Sequence, residues 1–160
     1  MDKRTRVLNA MNKKEVDHVP VGFWFHFGGE EAVGDACVQA HLKYYRETDL
    51  DFVKIMCDNY FPYPLPKIEK AEDWTTLEPL TADHPFIREQ VERAKAIVDD
   101  IGKERCVFYN VFAPFSSLRF GADAIGINDD QVMEYIRTDR TAVMKALDVI
   151  AQSNALLAEL

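Results

Sequence analysis

Three apolar runs separated by segments of helical period predict an α/β protein with about three parallel strands. The runs are residues 19–26 (VPVGFWFH), Phe52 to Cys57 in the opening of DLDFVKIMCD, and residues 105–112 (RCVFYNVF). The first of them is apolar on both of its faces, the pattern of a strand covered on two sides. Strands that alternate with helices pair in parallel through crossovers. Three such strands cannot close on themselves and leave two apolar edges, which must be covered, paired or completed. A (β/α)8 barrel takes about 250 residues, so these 160 residues correspond to the N-terminal part of a TIM-type barrel, one partial barrel domain over residues 1–160. A small open three-stranded domain is the structural alternative.

In chain order, Asp2 is placed to cap a short helix with Val7, Leu8 and Met11 on one side, ending near Lys14. Strand alternation over residues 19–26 puts Gly22, Trp24 and His26 on one face and Val21, Phe23 and Phe25 on the other. Gly28 and Gly29 then form a loop, and from about Glu31 to Glu47 the spacing of Val33, Cys37, Ala40, Tyr44 and Tyr45 suits a covering helix. On the second strand Phe52, Lys54, Met56 and Asp58 share a face, and Val53, Ile55 and Cys57 share the other. Directed into a barrel, Lys54 on that face needs a carboxylate partner or has its charged form disfavoured by desolvation, and a structural ion pair is its expected role. About 25 irregular residues follow, rich in Pro and Tyr, with Trp74 as a packing anchor. Such long excursions are often functional. Asp83 is the expected cap of a helix whose stripe is Phe86, Ile87, Val91, Ala94, Val98 and Ile101, stopped by Gly102. After the third strand, a loop at residues 113–117 leads into a short helix carrying Leu118 and Phe120. Asn128 or Asp129 starts the next, and Val143, Leu147 and Ile150 mark a last helix beyond Thr138.

Composition excludes several classes. Nineteen Lys and Arg against 27 Asp and Glu give a net charge of -8 without any acidic block, unlike a nucleic-acid or anionic-membrane surface. Cys37, Cys57 and Cys106 are odd in number, far apart and set in apolar segments, so they read as free thiols in a reducing compartment. The charged N-terminus is unlike a signal peptide, and no apolar run reaches the length of a membrane span; the expected location is the cytoplasm.

Functional candidates sit where strands stop. In parallel α/β folds ligands bind beyond the carboxyl ends of the strands, so the acid that ends the second run, Asp58, is the leading candidate. The plainer role for Asp58 is turn formation. His26 and Asn110 occupy the corresponding ends of the other two runs, and Tyr60 follows Asp58 in the long loop. For His26 a loop-anchoring role is the competing interpretation, and no metal is assigned to any of these residues.

The succession RVLNAMNKKEVDHVPVGFW, DLDFVKIMCDNYFPYP, EDWTTLEPL and VFYNVFAPFSSLRF resembles the N-terminal half of the uroporphyrinogen decarboxylase superfamily, which holds a cofactor-free tetrapyrrole decarboxylase and methyltransferases acting with corrinoids or thiols. The resemblance implies that Asp58 matches the decarboxylase's aspartate at the end of its second strand, which binds pyrrole N–H groups and stabilises developing positive charge. Where the decarboxylase carries an Arg, Gln, Arg motif for substrate carboxylates, this chain has Phe25, His26 and Gly29, so the resemblance implies methyl transfer involving a corrinoid ahead of tetrapyrrole decarboxylation. The zinc ligands of the methyltransferase branch lie in the other half of the barrel, outside this sequence. The implied partners are a small-molecule or tetrapyrrole substrate and either a second copy of the chain or the missing barrel half. The contrasting expectation is a catalytically silent half-barrel that acts as an assembly subunit.

Overall fold

A computed structural model of the chain describes residues 1–55 and 62–160. It is a mixed α/β structure, mostly helical, with two parallel strands among the described residues. The elements are α1 (Lys3–Met11), α2 (Gly34–Glu47), β1 (Phe52–Ile55), α3 (Pro85–Ile101), β2 (Cys106–Tyr109), α4 (Pro114–Ala124), α5 (Asp129–Thr138) and α6 (Arg140–Glu159). Single 3-10 turns occupy Gly29–Ala32 and Ala71–Thr76. The chain divides into two compact units, Met1–Tyr60 with Glu89–Asn110, and Phe61–Arg88 with Val111–Leu160.

In the first unit β1 and β2 pair in parallel, Phe52 opposite Cys106 and Ile55 opposite Tyr109. Val53 and Ile55 are buried with Leu42 and Tyr45 of α2 and Ile97 and Ile101 of α3, so one face of β1 meets the helical layer and forms the core. On the other face the Phe52 and Phe108 rings meet edge to face. The helix starts follow the expected chemistry: the Asp2 carboxylate accepts the Thr5 N–H at 2.8 Å. At α3 the cap is His84, whose Nδ1 accepts the Phe86 N–H, one residue after the expected Asp83.

The expected first strand is not formed. Residues 19–26 carry no ladder, and Val19, Val21, Phe23, Trp24 and Phe25 are exposed instead of covered on both faces. The Tyr45 hydroxyl is the physical reason. It accepts the Lys54 N–H at 2.8 Å and lies 2.8 Å from the Lys54 carbonyl and 3.2 Å from the Phe23 carbonyl, filling the position where a ladder would run. The segment still lies along β1: the Asp51 N–H donates to the Val21 carbonyl at 2.9 Å, and a Cβ on Gly22 would stand 2.2 Å from the Phe52 ring. The third run is likewise shorter than residues 105–112, because only Cys106–Tyr109 has a partner strand. The Lys54 Nζ sits 4.4 Å over the Trp24 ring in a cation–π contact, and Asp58, the acid that shares its face in the sequence, lies outside the described residues.

The second unit is helical. Helix α6 packs on α4, α5 and the 3-10 turn, burying Trp74, Leu118, Val132, Val143 and Ile150 in one cluster. Part of the long excursion is therefore core, with Trp74 wholly buried as its anchor. Helix α4 begins at Pro114 instead of inside a loop. Gly121 of that helix faces the Tyr63 backbone, where a Cβ would stand 2.5 Å from the carbonyl oxygen. Asn128 caps α5 in a reciprocal box with Gln131, and the Asp139 carboxylate caps α6 through the Ala142 N–H.

Candidate functional site

Two ends of the β1–β2 pair offer different chemistry. At the carboxyl end, parallel register brings the chains out on the same side, since Ile55 and Tyr109 are partners. Asn110 follows immediately after β2 and is half-buried. Just before it, the Tyr109 hydroxyl donates to Gln90 Oε1 of α3, which orients the strand end. The 19–26 segment advances in the same direction as β1, because Val21 lies beside Asp51 and Phe23 beside Lys54. His26 therefore follows that segment toward the same end. It is exposed, between Phe25, stacked on Tyr44 at 6.1 Å, and buried Phe27, whose ring packs on His41. Asp58 and Tyr60 lie outside the described residues. Of the four expected site residues, the structure thus locates His26 and Asn110, each next to a segment aligned with β1.

The amino end is a dense ionic cluster beside an open cleft of about 900 Å³. Buried Arg6 of α1 donates to Asp51 Oδ1 at 2.6 Å and to both oxygens of Asp17 at 2.7 and 2.9 Å. The hydrogen bonds from Arg6 hold the Asp17 carboxyl well below the usual carboxylate range and raise the guanidinium in return. Burial alone would raise Asp51, but the Val21 N–H, Arg6 and Lys3 outweigh it and lower its pKa. Lys3 also donates to the backbone carbonyl of Asp49, a residue in the left-handed region at φ 55°, and lies 3.2 Å from its carboxylate. Arg105, nine-tenths buried, donates to the Tyr45 carbonyl. Positive and negative groups alternate and compensate here, so the cluster is a clamp that ties α1 and the 19–26 segment to the start of β1.

Among the described residues, Cys37 and Cys106 stand apart and do not assemble a metal centre; Cys57 lies outside them. On α2, Cys37 Sγ lies 3.6 Å from His41 Nδ1, and Nδ1–H donates to the Cys37 carbonyl at 2.7 Å. The Arg93 guanidinium of α3 donates to the same sulfur at 3.8 Å. Burial pushes the Cys37 thiol up and His41 down to about 4, so both are neutral and inaccessible at neutral pH. Cys106 stands at the amino end of β2, directed at the Arg4 carbonyl. Among the described residues no group of three or more His, Cys, Asp or Glu side chains is placed to hold a metal ion. None of their helices is long and apolar enough to cross a membrane.

The Arg6–Asp17–Asp51 clamp has little sequence signal, since its members are 11 and 45 residues apart in an otherwise ordinary charge pattern. The Cys37–His41 pair does have one, an i, i+4 spacing on a helix. Comparison of the chain with models of protein families, with curated proteins and with solved structures yields no match.

Proposed function

We propose that the chain is part of a diverged uroporphyrinogen decarboxylase-type (β/α)8 barrel that binds its ligand beyond the carboxyl ends of the strands. Asp58 is the principal ligand-binding carboxylate, and His26, Asn110 and Tyr60 line the same mouth. The observation that carries this reading is the common direction of three segments, residues 19–26, β1 and β2, each followed by one of these polar residues. That is the arrangement in which a barrel gathers side chains from successive strand ends into one site.

The preferred reaction is methyl transfer involving a corrinoid. A corrinoid, when bound, supplies the methyl group or accepts it. The chain's own contribution would be positioning: the Asp58 carboxylate accepts N–H hydrogen bonds and favours positive charge, while the Asn110 amide donates and accepts at the neighbouring strand end. Decarboxylation of a carboxylate-rich tetrapyrrole is the second choice, because the residues at the arginine positions have other work. Phe25 is held in aromatic packing with Tyr44 and Phe27, and Gly29, at φ 59°, opens a 3-10 turn. Zinc does not fit the described residues, since Cys37 is enclosed with His41 and Arg93 and Cys106 faces the amino end, so no step is assigned to it. The exposed apolar residues of the 19–26 segment favour one further reading, a non-catalytic assembly subunit.

Titration with hydroxocobalamin and, separately, with a uroporphyrin separates these readings by absorption spectroscopy. The proposal expects a saturable change in the cobalamin spectrum that is weakened at least about tenfold by Asp58→Asn, the loss of one charge-assisted contact. If neither chromophore responds, the chain has no tetrapyrrole site and the assembly reading stands.

A further inference from the structure

From the exposed segment beside β1, we infer that the chain self-associates by pairing its 19–25 strip with the same strip of a second copy. The strip is apolar and largely uncovered: Val19 is 75%, Val21 42%, Phe23 63%, Trp24 55% and Phe25 56% exposed. Its inner side is held by Asp51, just before β1, through Val21 and by the Tyr45 hydroxyl of α2 through Phe23, whereas Trp24 and Phe25 make no backbone–backbone hydrogen bond among the described residues. An extended edge of this kind is a template for strand addition.

Charge and area identify the occupant. A chain of net charge -8 resists close approach to its own copy, but residues 18–29 form a stretch without Asp, Glu, Lys or Arg, so two copies meet there with the least repulsion. A two-fold axis would place the strip against itself, and a self-complementary apolar edge requires no second kind of partner. At about 150–250 Å² per aromatic side chain, the exposed parts of the three rings offer roughly 350 Å², and the two valines bring this to about 450 Å² per copy. Pairing therefore buries at most about 900 Å² in total, below the roughly 1,000 Å² expected of a specific stable interface, which makes the predicted dimer a weak, reversible complex. This inference rests on the assembly reading given above and competes with completion of a barrel, in which a further strand would take the same edge; a single-chain mass overturns it without bearing on the cobalamin titration.

The two tryptophans provide the readout, because Trp74 is fully buried and Trp24 is half exposed. Acrylamide-quenchable fluorescence of the whole chain therefore reports Trp24. Light scattering over a dilution series should show the mass rising to twice that of one chain. Quenching should fall over the same concentration range, and Phe23→Glu and Val19→Lys should each remain monomeric with an unchanged far-UV spectrum. A constant single-chain mass, a dimer with Trp24 still fully quenchable, or dimerisation of both variants as tightly as the parent would overturn the inference.

Discussion

Removing one oxygen atom tests how the 19–26 segment is attached to the sheet. In Tyr45→Phe the ring stays in the core beside Val53 and Ile55, and only the hydroxyl is lost. That hydroxyl accepts the Lys54 N–H at 2.8 Å and reaches the carbonyls of Lys54 and Phe23 at 2.8 and 3.2 Å. Its own proton is secure, since burial, opposed by the hydrogen bond to Lys54, pushes the pKa up to about 12. Without it the partly buried Lys54 amide loses its acceptor, and an orphaned buried donor costs about 1–3 kcal/mol. A loss of about 2 kcal/mol corresponds to a fall in melting temperature of about 4–8 °C for a chain of this size. Thermal unfolding followed by far-UV circular dichroism measures the fall, and amide hydrogen exchange should show Lys54 losing protection while Val53 keeps it. A change below about 0.5 kcal/mol with Lys54 still protected would refute the reasoning. It would mean that the Phe23 carbonyl closes directly on the Lys54 amide and that residues 19–26 become the third ladder strand once the hydroxyl is gone.

Four further outcomes are expected. Leu118→Ala, at a fully buried position in the second unit, should cost about 2–5 kcal/mol in a denaturant titration. Gly121→Ala should destabilise by about 1–3 kcal/mol despite alanine's better helix propensity, because the new Cβ meets the Tyr63 carbonyl; equal or greater stability would mean that the backbone there yields freely. Asp51→Asn should lower the denaturation midpoint at neutral pH. The gap from the parent should close as pH falls below the ordinary carboxylate value of 3.8, since the lowered folded pKa means that the parent's own advantage is lost on protonation. For His41, held down to about 4 by burial against an ordinary 6.5, the unfolded chain takes up the proton first as pH falls, so stability should drop between those two values by about 3 kcal/mol and level off below. Urea titrations across that range should show the slope in the parent and its disappearance in His41→Gln.

What could be seen in the sequence was whatever depends on neighbours in the chain. Asp2, Asn128 and the stripe of α6 lie within a few residues of the groups they satisfy and became caps and a buried face as expected, and in the α3 stripe Ile87 and Ile101 are buried while Val98 is exposed and Ile97 takes its place in the core. The 19–26 run failed for a long-range reason. Its alternation of apolar residues is the same in a covered strand and in an uncovered edge, and the deciding atom, the Tyr45 hydroxyl, belongs to a helix about twenty residues further on. Lys54 shows the same limit: its period-two position gave no sign of the Trp24 ring from that uncovered run, over which its ammonium sits, while Asp58 on the same face lies outside the described residues. For the site, His26 and Asn110 were legible as polar residues ending apolar runs, whereas the Arg6–Asp51 pair joins residues 45 positions apart with no local pattern.

The two ends of the strand pair carry different polar groups. The amino end is closed by compensating charges: Arg6 is engaged by Asp17 and Asp51, Lys3 by Asp49, and Arg105 by a backbone carbonyl. A carboxylate engaged in this way is a poor ligand for anything else, because releasing it would leave a buried guanidinium unpaired. At the other end stand His26, exposed, and Asn110, half-buried, an imidazole and an amide that can each donate and accept hydrogen bonds. In parallel α/β folds ligands bind at the carboxyl ends of the strands, the end opposite this clamp. Under the proposed function, substitutions at the carboxyl end, including Asp58 three residues after Ile55, should change binding more than they change folding.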